Sequence, residues 1–167
     1  MPVEVSCDLK DAGRYARGVR DDAMRLLDFA NLSRAELSLL LTGDRRIAGM
    51  NREYRHKSGP TDVLSFGRFG TAKARTIATS RVVPAEIDNL LGDVVISIET
   101  AARQARELDQ SVRRRLRTLL VHGVLHLIGF DHQRADEARL MFAVQDSFET
   151  RLEQAGAKPR RDARTTK

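Results

Sequence analysis

One cysteine and no tryptophan occur in the 167 residues. The lone thiol, Cys7, excludes an internal disulfide and any cysteine-rich zinc site. It lies in Val3-Glu-Val5-Ser-Cys7-Asp-Leu9, whose alternation predicts a strand with Cys7 turned inward as a small buried hydrophobe. Aromatics make up 5% of the chain, too few for a surface that reads nucleic-acid sequence by stacking bases. No stretch approaches the roughly twenty apolar residues of a membrane helix, and no signal-peptide pattern is present. A cytoplasmic protein with no membrane partner is therefore expected.

The length suits one domain with a sizeable core. The net charge of +6 points toward nucleic acid, but the tail Gly156 to Lys167 carries +4 of it in five Lys/Arg and one Asp. The body, residues 1–155, is only slightly basic. Residues 156–167, with Pro159 and no large apolar side chain, read as a disordered solubilising extension or an aid in holding RNA phosphates. A tighter cluster, Arg113, Arg114, Arg115 and Arg117, precedes the histidines described below. It is either a solvated helix end or a basic surface near a site.

Neither an internal repeat nor an interdomain linker is visible. Strand patterns run from Val3 to Leu9, Glu36 to Thr42, Asp62 to Phe66 and Leu91 to Ile98. Helical spacing covers Arg17 to Ala30, with Val19, Ala23, Leu26, Leu27 and Ala30 on one side. Asp44 is a candidate N-cap for a helix through about Tyr54, and a further helix runs from about Ser97 to Leu108. Ser111 can cap the next, and a last helix from about Arg134 to Ala155 lines up Met141, Val144, Phe148 and Leu152. Lys57 to Pro60 is turn chemistry, and Gly67 to Asn89 reads as a loop or irregular hairpin. Strands interspersed with helices imply an α+β domain, a small mixed sheet packed with about five helices.

Three of the four histidines fall in His122-Gly-Val-Leu-His126-Leu-Ile-Gly129-Phe-Asp131-His132. His122 and His126, four apart on a helix, share a face and can point at one ion. Gly129 allows a left-handed exit that swings His132 back as a third ligand. Three neutral imidazoles leave a fourth position open, the pattern of a catalytic site, and zinc is the default ion. The surrounding helix, Leu116 to Ile128, is apolar on nearly every side and so is expected to be buried. The spacing resembles the HExxHxxGxxH site of metzincin proteases, but Gly123 stands where their glutamate base would be.

The same eleven residues closely resemble the HGxLHLxGYDH signature of the YbeY family of bacterial metallo-endoribonucleases, which act in ribosomal RNA maturation. Met50-Asn-Arg-Glu-Tyr54-Arg55, Thr61-Asp-Val-Leu-Ser65-Phe66 and Leu91-Gly-Asp93-Val-Val-Ile-Ser97 agree in the same order, over roughly residues 36 to 150. Phe130 replaces the more usual tyrosine. The resemblance implies a four-stranded sheet around a central metal-bearing helix. It also implies a zinc-dependent, single-strand-specific endoribonuclease, acting at the 3′ end of 16S rRNA and in ribosome quality control. The partners implied are single-stranded RNA, ribosomal RNA and the small subunit.

Arg55 matches the functionally important arginine of the family's Asn-Arg-x-Tyr-Arg segment and is the expected catalytic side chain. Asp131 is either a carboxylate that orients a ligand imidazole or a turn former. His56 reads as a surface residue, and Asp93, Thr61 and Ser65 as structural residues at strand ends. The nucleophile is either a water acidified by the ion or the 2′-hydroxyl of the RNA. The rival readings are a metzincin-like protease or other hydrolase, and a non-catalytic ribosome-associated metal-binding protein.

Overall fold

Strands form here where short apolar runs alternate, and helices where the apolar spacing lengthens to one turn. The computed structural model describes residues 2–67 and 90–157. In chain order the elements are β1 (Val3–Cys7), α1 (Gly13–Phe29), β2 (Glu36–Thr42), α2 (Asp44–Arg55), β3 (Val63–Gly67), β4 (Leu90–Ser97), α3 (Ile98–Glu107), α4 (Val112–Leu127) and α5 (Ala135–Ala157). The result is one α+β domain with a mixed four-stranded sheet and five helices, as the sequence predicts. The loop or hairpin read over Gly67 to Asn89 lies, after Gly67, outside the described residues.

The strand order is β1-β2-β4-β3. β1, β2 and β4 run parallel, and β3 lies antiparallel to β4 on the edge. In β2, Leu37, Leu39 and Leu41 are buried while Ser38 and Leu40, on the other face, are half-buried. β4 is central, and its run Val94, Val95, Ile96 is buried on both faces. Ile47 of α2 joins Leu64 and Val95 in a small cluster on one face; Val94 and Ile96 belong to the main core on the other.

Helix α4 packs on β3, β4, α1, α3 and α5. Leu116, Leu119, Leu120, Val121, Val124, Leu125 and Leu127 are all buried, which accounts for its apolar character on every side. At about 1.5–3 kcal/mol per fully buried aliphatic side chain, this helix dominates the core. Ser111 caps it, accepting the Arg114 N–H at 3.1 Å, and Ser97 caps α3 through the Thr100 N–H at 3.2 Å.

Three expectations need correction. Cys7 is exposed, not inward. The alternation holds for buried Val3 and half-buried Val5, but β1 is an edge strand and burial fades toward its end. The Cys7 thiol pKa is nonetheless raised, by partial desolvation first and the Asp8 carboxylate second, against Arg20, which favours the unreactive thiol.

Asp44 does not cap α2; Gly43 holds the cap position and Asp44 is the first helical residue. Its Oδ1 instead accepts the hydroxyls of Ser97 and Thr100, each at 2.6 Å, and its Oδ2 pairs with Arg103 at 2.7 Å. Burial alone would raise its pKa. The bonds from Arg103, Ser97 and Thr100 outweigh that and lower it.

The arginine cluster is divided: Arg115 and Arg117 are half-buried and tied down, while Arg113 and Arg114 are exposed at the helix end. Arg117 and Arg113 reach the buried Asp22 of α1 at 3.2 and 3.6 Å, and Arg115 bonds Gln104 at 2.7 Å. These ties sit in the N-terminal half of α4, the nearest of them, at Arg117, about 7.5 Å along the axis from His122. α5 also extends two residues beyond the expected limit of the folded body, and the rest of the tail lies outside the described residues. No described helix is long and apolar enough to cross a membrane.

Candidate active site

The last turns of α4 carry His122 and His126 on one face, and the helix ends at Ile128. Gly129, at φ 96°, adopts the left-handed conformation that turns the chain back. The Phe130 N–H donates to the Leu125 carbonyl at 3.0 Å, and Asp131 Oδ1 accepts the His132 N–H at 2.7 Å. This turn brings the His132 ring centroid to 5.7 Å from that of His122 and 5.3 Å from that of His126.

One ring nitrogen from each of the three histidines lies within 4.8 Å of the others. His122 Nε2 and His126 Nε2 are 3.1 Å apart. Two ligands at zinc–nitrogen distance from a tetrahedral ion would stand about 3.3 Å apart, so this pair already has near-ligand spacing. The donor chemistry also fits. Burial first, then the neighbouring His122 and His132, push the His126 pKa down to about 4, while Asp131 and a backbone hydrogen bond with Phe130 oppose the shift. An imidazole with that pKa is neutral at pH 7 and offers its lone pair. Three imidazole nitrogens, donors of borderline softness, suit a divalent ion such as zinc.

Sequence reasoning missed one partner. Gln145, on α5 and only 9% exposed, places its Oε1 3.0 Å from His122 Nδ1. The available signal was a polar residue in the otherwise apolar series Met141, Val144, Phe148 and Leu152.

Gly123 faces away from the centre and into the sheet. A Cβ there would stand 2.8 Å from Val94 Cγ1 and 3.2 Å from both Ser65 Oγ and Val63 Cγ2. The position that carries the glutamate base in metzincins is therefore filled by strands β3 and β4. A carboxylate could not be accommodated without displacing them.

Arg55 ends α2 and is exposed. Its Nη2 donates to the Ser65 carbonyl at 3.3 Å, and Ser65 Oγ donates to the Gly123 carbonyl at 3.0 Å. No described contact joins Arg55 to the histidines directly; the link runs through Ser65 to the residue after His122. Among the described residues, Thr61 bonds its neighbour Asp62, at 3.4 Å. His56 is exposed and closes α2 in the left-handed region, φ 55°. Asp93 is exposed on β4.

The fold and site together define a class: an α+β protein with three convergent imidazoles at the C-terminal end of its central helix. The profile of the family described as Endoribonuclease YbeY matches residues 6–153. An Endoribonuclease YbeY from Persephonella marina is 36% identical over 145 residues, 86% of this chain and 88% of that protein. One from Anaeromyxobacter dehalogenans is 43% identical over 141 residues, 84% of this chain and 66% of that longer protein. The solution structure of TM1509 from Thermotoga maritima superposes with TM-score 0.62 at 16% identity, covering 97% of this chain and 99% of that one, and supports the fold. The chain belongs to the YbeY family of endoribonucleases.

Proposed function

We propose that the chain is a zinc-dependent endoribonuclease specific for single-stranded RNA, acting at the 3′ end of 16S rRNA during ribosomal RNA maturation and in ribosome quality control. Its partners in this reading are ribosomal RNA and the small subunit. The observation that carries it is the meeting of His122, His126 and His132 within 4.8 Å in a member of an endoribonuclease family. When bound, a zinc ion supplies positive charge for an anionic phosphodiester and acidifies water toward a pKa of about 7.

The chain's own residues supply orientation and charge. His126, its pKa about 4, presents a neutral ring to the centre. Arg55 spends one donor on the Ser65 carbonyl, and the rest of its planar fork has no partner among the described residues. That fork can accept two phosphoryl oxygens side by side and stabilise the charge that builds on them. Arg45 and Arg52 are exposed on the same helix and form no ion pair among the described residues, so they are available to RNA phosphates. Backbone recognition of this kind suits a chain poor in aromatics.

Gly123 argues against peptide hydrolysis, because the carboxylate base is absent and its place is filled. Incubating zinc-loaded protein with unstructured RNA, structured RNA and casein tests the reading. Cleavage of unstructured RNA alone is the expected result. Cleavage of casein would revive the protease reading, and no cleavage of either would favour a binding protein.

A further inference from the structure

The one hydrogen-bonded contact that a neighbouring helix makes to the three-histidine centre comes, among the described residues, from Gln145. Its Oε1 lies 3.0 Å from His122 Nδ1, on the side of the ring away from the His126 contact at Nε2. An amide carbonyl oxygen can only accept. The proton of a neutral His122 is therefore held at Nδ1, and the Nε2 lone pair is left facing His126 Nε2 at 3.1 Å. The alternative tautomer would direct an N–H into the centre and leave Nδ1 without a donor.

Gln145 is held where it can do this. Its side chain is 9% exposed, and α5 is anchored on the core by Met141 and Leu152, both fully buried. Met141 and Gln145 are one turn apart, so the packing of α5 on α4 and the bond to His122 come from the same helix face.

We propose that Gln145 is a positioning residue: it fixes the Nδ1–H tautomer and the ring orientation of His122, and so sets the affinity of the three-histidine centre for a divalent ion. The inference rests on the metal-binding reading above. An uncharged acceptor distinguishes this centre from one in which a carboxylate holds the ligand ring. It orients the imidazole without adding a negative charge, so the charge of a bound ion stays available for an anionic substrate.

The test uses the full chain and zinc ion, with two readouts that involve no RNA. Long-range ¹⁵N–¹H spectra of the metal-free protein, taken above the ordinary imidazole pKa of about 6.5, report which ring nitrogen carries the proton. Competition against a chromogenic chelator reports zinc affinity. Wild-type protein should show His122 protonated at Nδ1. Gln145→Leu should show a mixture of tautomers and bind zinc roughly 10- to 100-fold more weakly. Gln145→Glu keeps an acceptor of nearly the same shape and should retain the Nδ1–H tautomer and bind zinc at least as tightly as wild type. If Gln145→Leu does not fold, the glutamate variant decides: loss of both the tautomer and zinc affinity there overturns the proposal. A folded leucine variant with wild-type tautomer and zinc affinity also overturns it, while the metal reading survives. Wild-type protein that takes up no zinc would sink the metal reading itself, and with it any role for Gln145 in metal affinity.

Discussion

Ser65 Oγ donates to the backbone carbonyl of Gly123 at 3.0 Å, while the carbonyl of Ser65 accepts from Arg55. One residue of β3 thus connects the end of α2 to the helix that carries the histidines. The close approach this requires is possible because residue 123 has no side chain.

Gly123→Ala should destabilise the protein, although alanine is the better helix former. Helix propensity favours the substitution by about 1 kcal/mol. The added methyl would stand 2.8 Å from Val94 Cγ1, on a stiff β-branched side chain, and 3.2 Å from Ser65 and Val63. Overpacking typically costs about 1–3 kcal/mol, so the net effect is a lower melting temperature. Calorimetry of the metal-free protein checks it. A raised melting temperature would show that β3 and β4 yield easily.

Asp22→Ala should cost about 3–5 kcal/mol, the usual consequence of leaving a buried charge without its partner. Asp22 is 1% exposed, and Arg117, 3.2 Å away, has a side chain only 13% exposed. Urea unfolding measures the loss. Zinc uptake by the folded fraction should be unchanged, because no described contact joins this pair to a histidine. A loss below about 1 kcal/mol would mean that the arginines find water instead.

These two cases also show what was legible in the sequence. The histidine centre was, since i, i+4 spacing and a glycine at the helix exit are local geometry. The cap at Ser111 and the helical stripe of α5 were local too. Pairing of Arg113 and Arg117 with Asp22 was not, because the partners are more than ninety residues apart. Asp44 beside Gly43 illustrates a different limit. Both residue types cap helices, and here Ser97, at the end of β4, and Thr100, in the first turn of α3, engage the Asp44 carboxylate instead. Cys7 failed for a third reason: alternation identifies a face but not how far the cover over an edge strand extends.

In the metal-free protein, the His126 ring should titrate near pH 4, below the ordinary 6.5, because it is desolvated and flanked by His122 and His132. The sign follows from proton binding. Between those two values the unfolded chain holds a proton at this position and the folded chain does not. Its contribution to stability is therefore complete above about pH 6.5 and is lost as pH falls toward 4. NMR titration of the ring proton gives the midpoint directly. A value near 6.5 would mean that the ring is solvated and free of its neighbours.

His122→Ala/His126→Ala should abolish stoichiometric zinc, since it removes two of three donors and leaves only exposed His132. Elemental analysis after dialysis measures it, and retained stoichiometric metal would place the site elsewhere. In wild-type protein, zinc removal should lower the melting temperature, because an ion that binds only the folded state stabilises it by mass action. The double variant should show no such dependence on zinc.

Arg55→Ala gives the sharpest test of the catalytic reading. Its one bond among the described residues, to the Ser65 carbonyl, is long, at 3.3 Å, and exposed, so its loss should change stability by no more than about 1 kcal/mol. Zinc content should stay at the wild-type level, because no described contact joins Arg55 to a histidine. Cleavage of single-stranded RNA should nevertheless fall roughly 100-fold or more, the size expected when one preorganised contact to developing charge is removed. Arg55→Lys should recover little, because a point charge cannot reproduce the planar fork. If Arg55 served instead to hold β3 against α2, stability and activity would fall together. Full activity in a folded, zinc-loaded Arg55→Ala protein would remove this residue from the reaction.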